Sequence, residues 1–526
     1  MKNTAFLARL PAIVLTLLLA VGGMLRLDGL GEQSFYHDEI DMLLYADGLI
    51  ERGTASKQVG SMDRPLATYE ALVYPIALSR MLLGESEWAA RLPAALFGTA
   101  AIAAVFFVGR ALFSPAVGLL AAALLCFNPQ ALIWSKYLWH PQQAQLLALL
   151  TAYFVFRALE DRVRPVALAA SAVLFSLTYL TWEGTGYLLP AFLIAVVTVR
   201  GRDPSWLKEP SVWVAGGAVA LVVGFQLGRR MLLSEPFLVV GSGLSNVTTP
   251  LPVFLQSIYN PLYYFRNFLW LEDNAVLTLL MVAGIPLCWR LKAYRYVVTL
   301  LLADLFLMTN LLPRPAIRYV FHLEPLLILA ASAALVQGMA WLRSHLGDAM
   351  PPAVKAVLGV SWAATCFGVL AASSPLARLH SINGFSQPTG VHVRPDTYYI
   401  DYRSPGEVLR AHLRPGDVVV SLFPDATQHY AGTRGDYFIQ VLPRRPVLFD
   451  AQSGSPRLIE RNIGTPTLTS LADLQEVSAR SGRVWIVAVP YSLLYFYGGR
   501  SMHEWIADNA RVMHESYDAR LYLLER

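Results

Sequence analysis

Charge is what this sequence has least of. Only 15% of its 526 residues are Asp, Glu, Lys or Arg, against roughly 25% in an average soluble domain, while 55% are apolar. A water-soluble fold has too little polar surface to cover so much apolar side chain. The shortage therefore excludes a soluble protein and leaves an integral membrane one. Lys and Arg outnumber Asp and Glu by only 42 to 37. They stand singly between apolar runs, not along a stripe, so nucleic acid is not an expected partner. Cysteine is equally scarce. Cys126, Cys288 and Cys366 each sit inside an apolar run at no metal-ligand spacing, which reads as three small buried hydrophobes and excludes a disulfide framework. A fixed-period repeat and a low-complexity tract are both lacking.

What is present is a series of long apolar runs. Crossing a bilayer takes about 17–25 mostly apolar residues. Eleven runs meet or approach that length: 10–29, 91–112, 115–135, 142–159, 165–182, 185–200, 211–228, 274–290, 296–312, 318–341 and 355–373. The first, with Lys2 and Arg9 before it and Ala20-Val21-Gly22 near its end, also has the outline of a signal peptide. The many spans that follow favour a retained helix. Between the first two runs, Thr68 to Leu83 is shorter and carries Arg80, which predicts a helix lying along the membrane surface. Arg91-Leu92-Pro93 reads as the start of the next span, with proline in its first turn.

Lys and Arg gather at alternate junctions: Lys2 and Arg9; Arg110; Arg157, Arg162 and Arg164; Arg200, Arg202 and Lys208; Arg290, Lys292 and Arg295; and Arg343. That side is expected to be cytoplasmic. The N-terminus then lies inside, and the residues after 373 lie outside. From 374 the composition changes. Strand-like runs (Asp417 to Leu422, Arg483 to Val489) alternate with helix-like ones (Pro405 to Leu413, Ser470 to Ala479), separated by turns such as Pro415-Gly416. The expected fold is a mainly α, polytopic membrane bundle over 1–373 with a C-terminal extracytoplasmic α/β domain over 374–526. The first outer loop and its interfacial helices, 30–90, belong to the bundle in this reading. The C-terminal part shows no nucleophile elbow, P-loop or paired-cysteine metal motif.

The strongest local signal is Tyr36-His37-Asp38-Glu39-Ile40-Asp41, directly after the first span. Carboxylates beside a membrane are costly unless solvated or paired, so the cluster marks either a site or a solvated loop. Asp63-Arg64-Pro65-Leu66 follows, then the surface helix, then Gly84 and Arg91-Leu92-Pro93. This order of span, acidic loop, basic-Pro-Leu, interfacial helix, Gly and Arg-Leu-Pro resembles the GT-C membrane glycosyltransferases. Within them it is most similar to the protein O-mannosyltransferase and aminoarabinose transferase group. The resemblance is most specific over 30–140 and continues as architecture to 341. It implies transfer of a sugar from a polyprenyl-phosphate carrier to a protein, lipid or glycan acceptor outside the cytoplasm, with inversion expected. A bacterial inner or plasma membrane is the implied setting, with membrane lipids as surroundings.

Carried over by that resemblance, Asp38 matches the acidic residue at the reaction centre. A hydroxyl or amine attacking an anomeric carbon needs a base to take its proton, and a carboxylate within reach supplies one. The leaving phosphate is a weak base, so one carboxylate suffices, unlike the paired acids of glycoside hydrolysis. Glu39 would orient acceptor or donor sugar, and Asp41 would be structural. Arg64 stands where the family usually has Lys; it meets the carrier phosphate or anchors the surface helix to headgroups.

Other candidates lie further along. In Ser135-Lys136-Tyr137-Leu138-Trp139-His140-Pro141, His140 occupies a position where the resembled group has Asp. That departure leaves three readings: His140 and Glu39 hold a divalent cation (Zn, Mg or Mn), His140 hydrogen-bonds substrate, or it is a polar cap. Lys136 is a candidate phosphate contact. Glu183 in Thr181-Trp182-Glu183-Gly184 lines a cavity or snorkels to the interface, and Gly184 permits close backbone approach. Arg314-Pro315-Ala316-Ile317-Arg318-Tyr319 precedes the tenth span. Relatives often carry an Arg-Tyr pair there, so Arg318 and Tyr319 are candidate donor contacts, the alternative for Arg318 being an internal pair with Glu324. The 229–273 loop reads as a gate or an aromatic belt, and Asn246-Val247-Thr248 fits a glycosylation sequon. Two other functions fit the same residues: a transporter or flippase of lipid-linked sugar, and a membrane scaffold with a degenerate site.

Overall fold

The computed structural model describes all residues except 1, 67, 202, 234–261, 272–273, 313–316, 347–350, 374–399, 443–446, 451–456, 517 and 526. The sequon at Asn246, Arg314 and most of the 229–273 loop lie outside the described residues.

A helix lies at each place where an apolar run predicts a span, but three runs are not one continuous α-helix, and of these 185–200 opens with the 3-10 turn Glu183–Tyr187 before Leu188–Arg200. Over 115–135 the helix Pro115–Phe127 ends and a short one, Pro129–Trp134, begins. The cause is local: the Asn128 side chain accepts the Ala131 N–H at 2.9 Å, and Pro129 follows in the first turn, a start signal inside an apolar run. Over 318–341 the first residues, Ile317–Leu323, wind as a 3-10 turn before the helix Glu324–Leu346. Among the described residues six helices are long and apolar enough to cross a membrane, not eleven, and Pro115–Phe127, Pro165–Thr181 and Ala275–Cys288 are shorter apolar ones. Their environments differ widely. Arg318–Leu342 is 89% buried over its apolar window, while Pro210–Leu232 is 11% buried and turns Trp213, Leu221 and Phe225 outward. An apolar helix that exposes such side chains needs lipid around it, and the protein is integral to the membrane.

Packing divides the chain otherwise than composition does. One compact unit holds 1–30, 91–229 and 251–384; the other holds 31–90, 230–250 and 385–526. Residues 31–90, grouped with the bundle on sequence grounds, share a compact unit with the C-terminal domain. That domain is built on a mixed six-stranded sheet. The strands, in chain order, are β1 (Ser56–Val59), β2 (Met62–Pro65), β3 (Val418–Ser421), β4 (Tyr437–Ile439), β5 (Leu448–Asp450), β6 (Arg457–Ile459), β7 (Thr467–Leu468), β8 (Arg483–Ala488), β9 (Arg511–Ser516) and β10 (Ala519–Glu525). The sheet runs β7-β4-β3-β8-β10-β9. Its first four strands are parallel, and β10 and β9 are antiparallel additions. Parallel strands need helical crossovers, and the helices Pro424–Ala431 and Leu471–Arg480 follow β3 and β7 accordingly. Val419, Trp485, Val487, Leu521 and Leu523 form the core with Leu409 of the helix Arg403–His412. The Trp485 indole N–H donates to Asp417 at 2.8 Å.

In the same unit the first outer loop forms two helices, His37–Arg52 and Glu70–Leu83, around the hairpin β1–β2. The hairpin turns at Gly60, whose φ of +63° suits glycine, and its tip is held by Asp450, which accepts from the Ser61 hydroxyl at 2.7 Å. The helix Glu70–Leu83 buries Leu72, Val73, Ile76 and Ala77 and exposes Tyr74, Leu78, Met81 and Leu82. An apolar outer face on a short helix is what lying at a membrane surface requires. The following helix begins at Glu87, so Pro93 lies inside it and not in its first turn. Proline has no N–H to give the carbonyl four residues back. That carbonyl, on Ala89, takes the Ser79 hydroxyl instead at 2.5 Å.

Candidate functional site

In the second unit the acidic cluster opens a helix. Tyr36 is extended (φ −75°, ψ 152°) and His37–Arg52 begins immediately after it. Glu39, fully buried, reaches back to accept the Tyr36 N–H at 2.8 Å, the carboxylate half of a capping box. The residue expected to orient substrate thus has a local task in starting the helix. Asp41 pairs with Lys57 of β1, in keeping with a structural part, and the Lys57 ammonium lies 5.1 Å over the Tyr45 ring. Asp38 differs from both. Its side chain is 24% exposed, and its Oδ1 is 3.3 Å from His37 Nε2. The His37 ring packs 5.5 Å from Phe423.

Arg64 faces Lys57 across the hairpin and donates to the Arg461 carbonyl at 3.3 Å. With Asp41, Tyr45, Asp63, Thr68 and Tyr69 it lines a cavity of about 300 Å³. Burial, then Asp41, raises the Tyr45 phenol above its ordinary value. Tyr69 has a left-handed backbone (φ +68°), an uncommon conformation for a bulky residue, and such outliers gather at binding sites. Deeper in this unit, Asp425 accepts from Asn462 at 2.9 Å. Burial, then the neighbouring Glu460, raises the Asp425 carboxyl.

In the membrane unit a second group forms on three elements. His140 precedes the helix Pro141–Leu159, and its ring stacks on Trp182 at 4.7 Å and 19°. Trp182 stacks in turn on Tyr319 at 5.0 Å and 20°, and the Arg318 guanidinium lies 5.4 Å over the Tyr319 ring. Gly184 makes this possible, because a Cβ there would meet the Trp182 ring at 2.2 Å. Burial first, then Arg318 and His322, hold His140 well below its ordinary pKa, as a neutral ring. His322 bridges two acceptors, the Tyr319 carbonyl and Asp304 Oδ2, at 3.0 Å each. Since a carbonyl only accepts, Nδ1 carries a proton and the second contact shares one with Asp304. Glu324 takes the Asn128 and Asn274 amides, both at 3.0 Å. The Lys136 ammonium donates to the Asp28 carbonyl at 2.6 Å. Glu183 is half-buried and opens the 3-10 turn Glu183–Tyr187.

The structure therefore gathers His140, Arg318 and Tyr319 in one unit and Asp38, Glu39 and Arg64 in the other. Sequence reasoning gives no part to Trp182 itself or to the His322–Asp304 contact, since both depend on helices far apart in the chain. Among the described residues no three His, Cys, Asp or Glu side chains are grouped so as to hold a metal ion. Glu39 and His140, the pair expected to hold a divalent cation, fall in different compact units.

Comparison with known proteins adds the fold. Residues 71–225 match the family described as dolichyl-phosphate-mannose-protein mannosyltransferase. No curated protein matches the chain in sequence. ArnT from Cupriavidus metallidurans bound to undecaprenyl phosphate is similar with a TM-score of 0.59 at 13% identity, over 98% of each chain. The archaeal oligosaccharyltransferase AglB from Archaeoglobus fulgidus, in complex with an inhibitory peptide and a dolichol-phosphate, is similar with a TM-score of 0.53 at 13% identity. That match covers 82% of this chain and 64% of AglB. The chain has the GT-C glycosyltransferase fold, as the order of its sequence elements implies.

Proposed function

We propose that this protein is a membrane glycosyltransferase that moves a sugar from a polyprenyl-phosphate donor to a protein, lipid or glycan acceptor on the extracytoplasmic side. The observation that carries the reading is the agreement in fold over 98% of the chain with a structure bound to undecaprenyl phosphate. The N-terminus is cytoplasmic and the C-terminal domain extracytoplasmic in this reading, which the alternating Lys and Arg support.

The step follows from the chemistry of the donor. The acceptor oxygen or nitrogen bonds to the anomeric carbon as the bond from that carbon to the phosphate oxygen breaks. Both electrons of the broken bond leave with the lipid phosphate, and one displacement inverts the anomeric configuration. Asp38 takes the acceptor proton. Its partial exposure beside His37 at the helix start supports that part. Arg64, lining the cavity of about 300 Å³, meets the phosphate. Lys136, His140, Glu183, Arg318 and Tyr319 stand as separate proposals for contacts with the lipid-linked donor, each answerable by its own substitution.

The test is sugar release from a panel of polyprenyl-phosphate sugars in nanodiscs, wild type against Asp38→Asn, each with and without chelator. Transfer falling by about 10²–10⁴-fold in the variant is the expected result. Full activity in Asp38→Asn with a verified donor removes the base, and loss with chelator supports the divalent cation expected at Glu39 and His140. Saturable lipid binding with no turnover of any donor points to a carrier-binding or transport protein.

A further inference from the structure

The segment before Asp38 has no regular structure of its own. Ser34 to Tyr36 is neither helix nor strand, yet Gln33, Ser34 and Phe35 are buried. Buried backbone groups outside a helix or sheet must find partners elsewhere, and here the partners come from the C-terminal domain. Arg403 donates to three successive carbonyls, Gly31 and Glu32 at 3.2 Å and Gln33 at 3.1 Å, and to the Glu87 carboxylate at 2.8 Å. The Tyr430 phenol oxygen accepts the Phe35 N–H at 2.6 Å and donates to the same Glu87 oxygen at 3.2 Å. The Ser34 hydroxyl donates to the Ile400 carbonyl at 3.0 Å and accepts the Tyr402 N–H at 3.1 Å. Arg403 is itself fixed at the start of its helix, where Asp401 accepts its backbone N–H at 3.1 Å.

The geometry points to Arg403 and Tyr430 as positioning residues that set where Asp38 stands. Neither touches the acceptor or donor; both act on the backbone three to seven residues before the base. A guanidinium suits the task because its donors are rigidly forked and can serve several carbonyls at once, which an ammonium cannot match. The phenol completes the relay, as one oxygen that both accepts from the chain and donates to Glu87. The C-terminal domain thereby belongs to the catalytic apparatus, holding the base in register for attack. This inference rests on Asp38 acting as the base.

The experiment uses the full chain in nanodiscs with Arg403→Ala, Arg403→Lys and Tyr430→Phe. Two readouts are taken: amide hydrogen exchange over 31–43, with strand β8 as the internal reference, and kcat and KM with a turning-over donor. Expected for Arg403→Ala is at least about tenfold faster exchange over 31–43 with β8 unchanged. The expected kcat loss approaches about 10²-fold at little-changed donor KM, since misplacement of roughly an ångström costs that much. Arg403→Lys recovers part of both. Unchanged exchange over 31–43, or unchanged kcat, overturns the inference. Where Arg403→Ala also deprotects β8, Tyr430→Phe decides, because it removes one oxygen and keeps the ring. If no donor turns over in the wild type, the enzymatic reading fails on its own and exchange still judges the anchor.

Discussion

The two units satisfy their arginines with different mixes of partner. In the membrane unit Arg26 is fully buried and gives its donors to fixed acceptors: the carbonyls of Gly22, Leu125 and Cys126 and the Ser135 hydroxyl, at 2.9–3.3 Å. Arg91, equally buried, donates to the Leu30 carbonyl. In the second unit Arg80 pairs with Asp47, and Arg403 adds Glu87 to its three backbone carbonyls, each carboxylate partly exposed. Where water is absent, a guanidinium is satisfied by backbone oxygens that cannot move away or take up a proton. Where water is near, carboxylates join backbone oxygens as partners, as Glu87 does for Arg403. The difference teaches that buried guanidinium in the bundle rests on neutral acceptors, whereas in the second unit carboxylates share the task.

The sharpest way to break the comparison is Arg26→Ala. It leaves three buried carbonyls without their donor, at about 1–3 kcal/mol each, so thermal unfolding in detergent should show a loss of about 3 kcal/mol or more. A loss under 1 kcal/mol would mean that the carbonyls find other partners and that fixed acceptors are not what the bundle relies on. Next in size is Glu39. Glu39→Ala removes the helix cap and should cost about 0.5–2 kcal/mol. Glu39→Gln keeps a capping side chain and should retain most transfer activity. If Glu39→Gln is as inactive as Asp38→Asn, Glu39 touches substrate or metal and its local task is not the whole account.

The gentlest effect is a slope with pH. Asp425 has its carboxyl raised by burial and Glu460, so the folded state holds that proton more tightly than the unfolded chain. Its contribution is full below the ordinary carboxylate value and is lost as pH rises through the raised one. Urea unfolding of the outer unit should therefore weaken as pH climbs toward neutrality, and Asp425→Asn should flatten the trend. An equal slope in the variant would assign it to another group.

The places of the bundle helices are legible in the sequence, because apolar runs and the Lys and Arg at their ends are local features. So are the strands β3 and β8, found within a residue or two of Asp417 to Leu422 and Arg483 to Val489. The break at Asn128-Pro129 was signalled by its own residues, a capping Asn followed by Pro. Less legible is anything made by distant partners. Tyr36-x-x-Glu39 does not have the Ser or Thr of the usual capping box, so Glu39 reads as a site residue until its carboxylate is seen on the Tyr36 N–H. The stack of His140, Trp182 and Tyr319 joins three separate elements. The assignment of 31–90 to the bundle followed chain order, whereas its contacts run to Ile400, Tyr430 and Asp450, which no periodicity announces.

That last feature has a consequence for biosynthesis. The Ser34–Ile400 contact spans 366 residues, which at 5–20 residues per second take roughly 20–70 s to translate. Throughout that interval the first outer loop has left the ribosome without the domain that holds it. A two-stranded hairpin such as β1–β2 is marginal alone, and the exposed apolar side chains of Glu70–Leu83 have only the membrane to rest on. The nascent loop is thus a natural client for chaperones and an early target for proteases. Truncation anywhere before residue 400 would leave it permanently in that state.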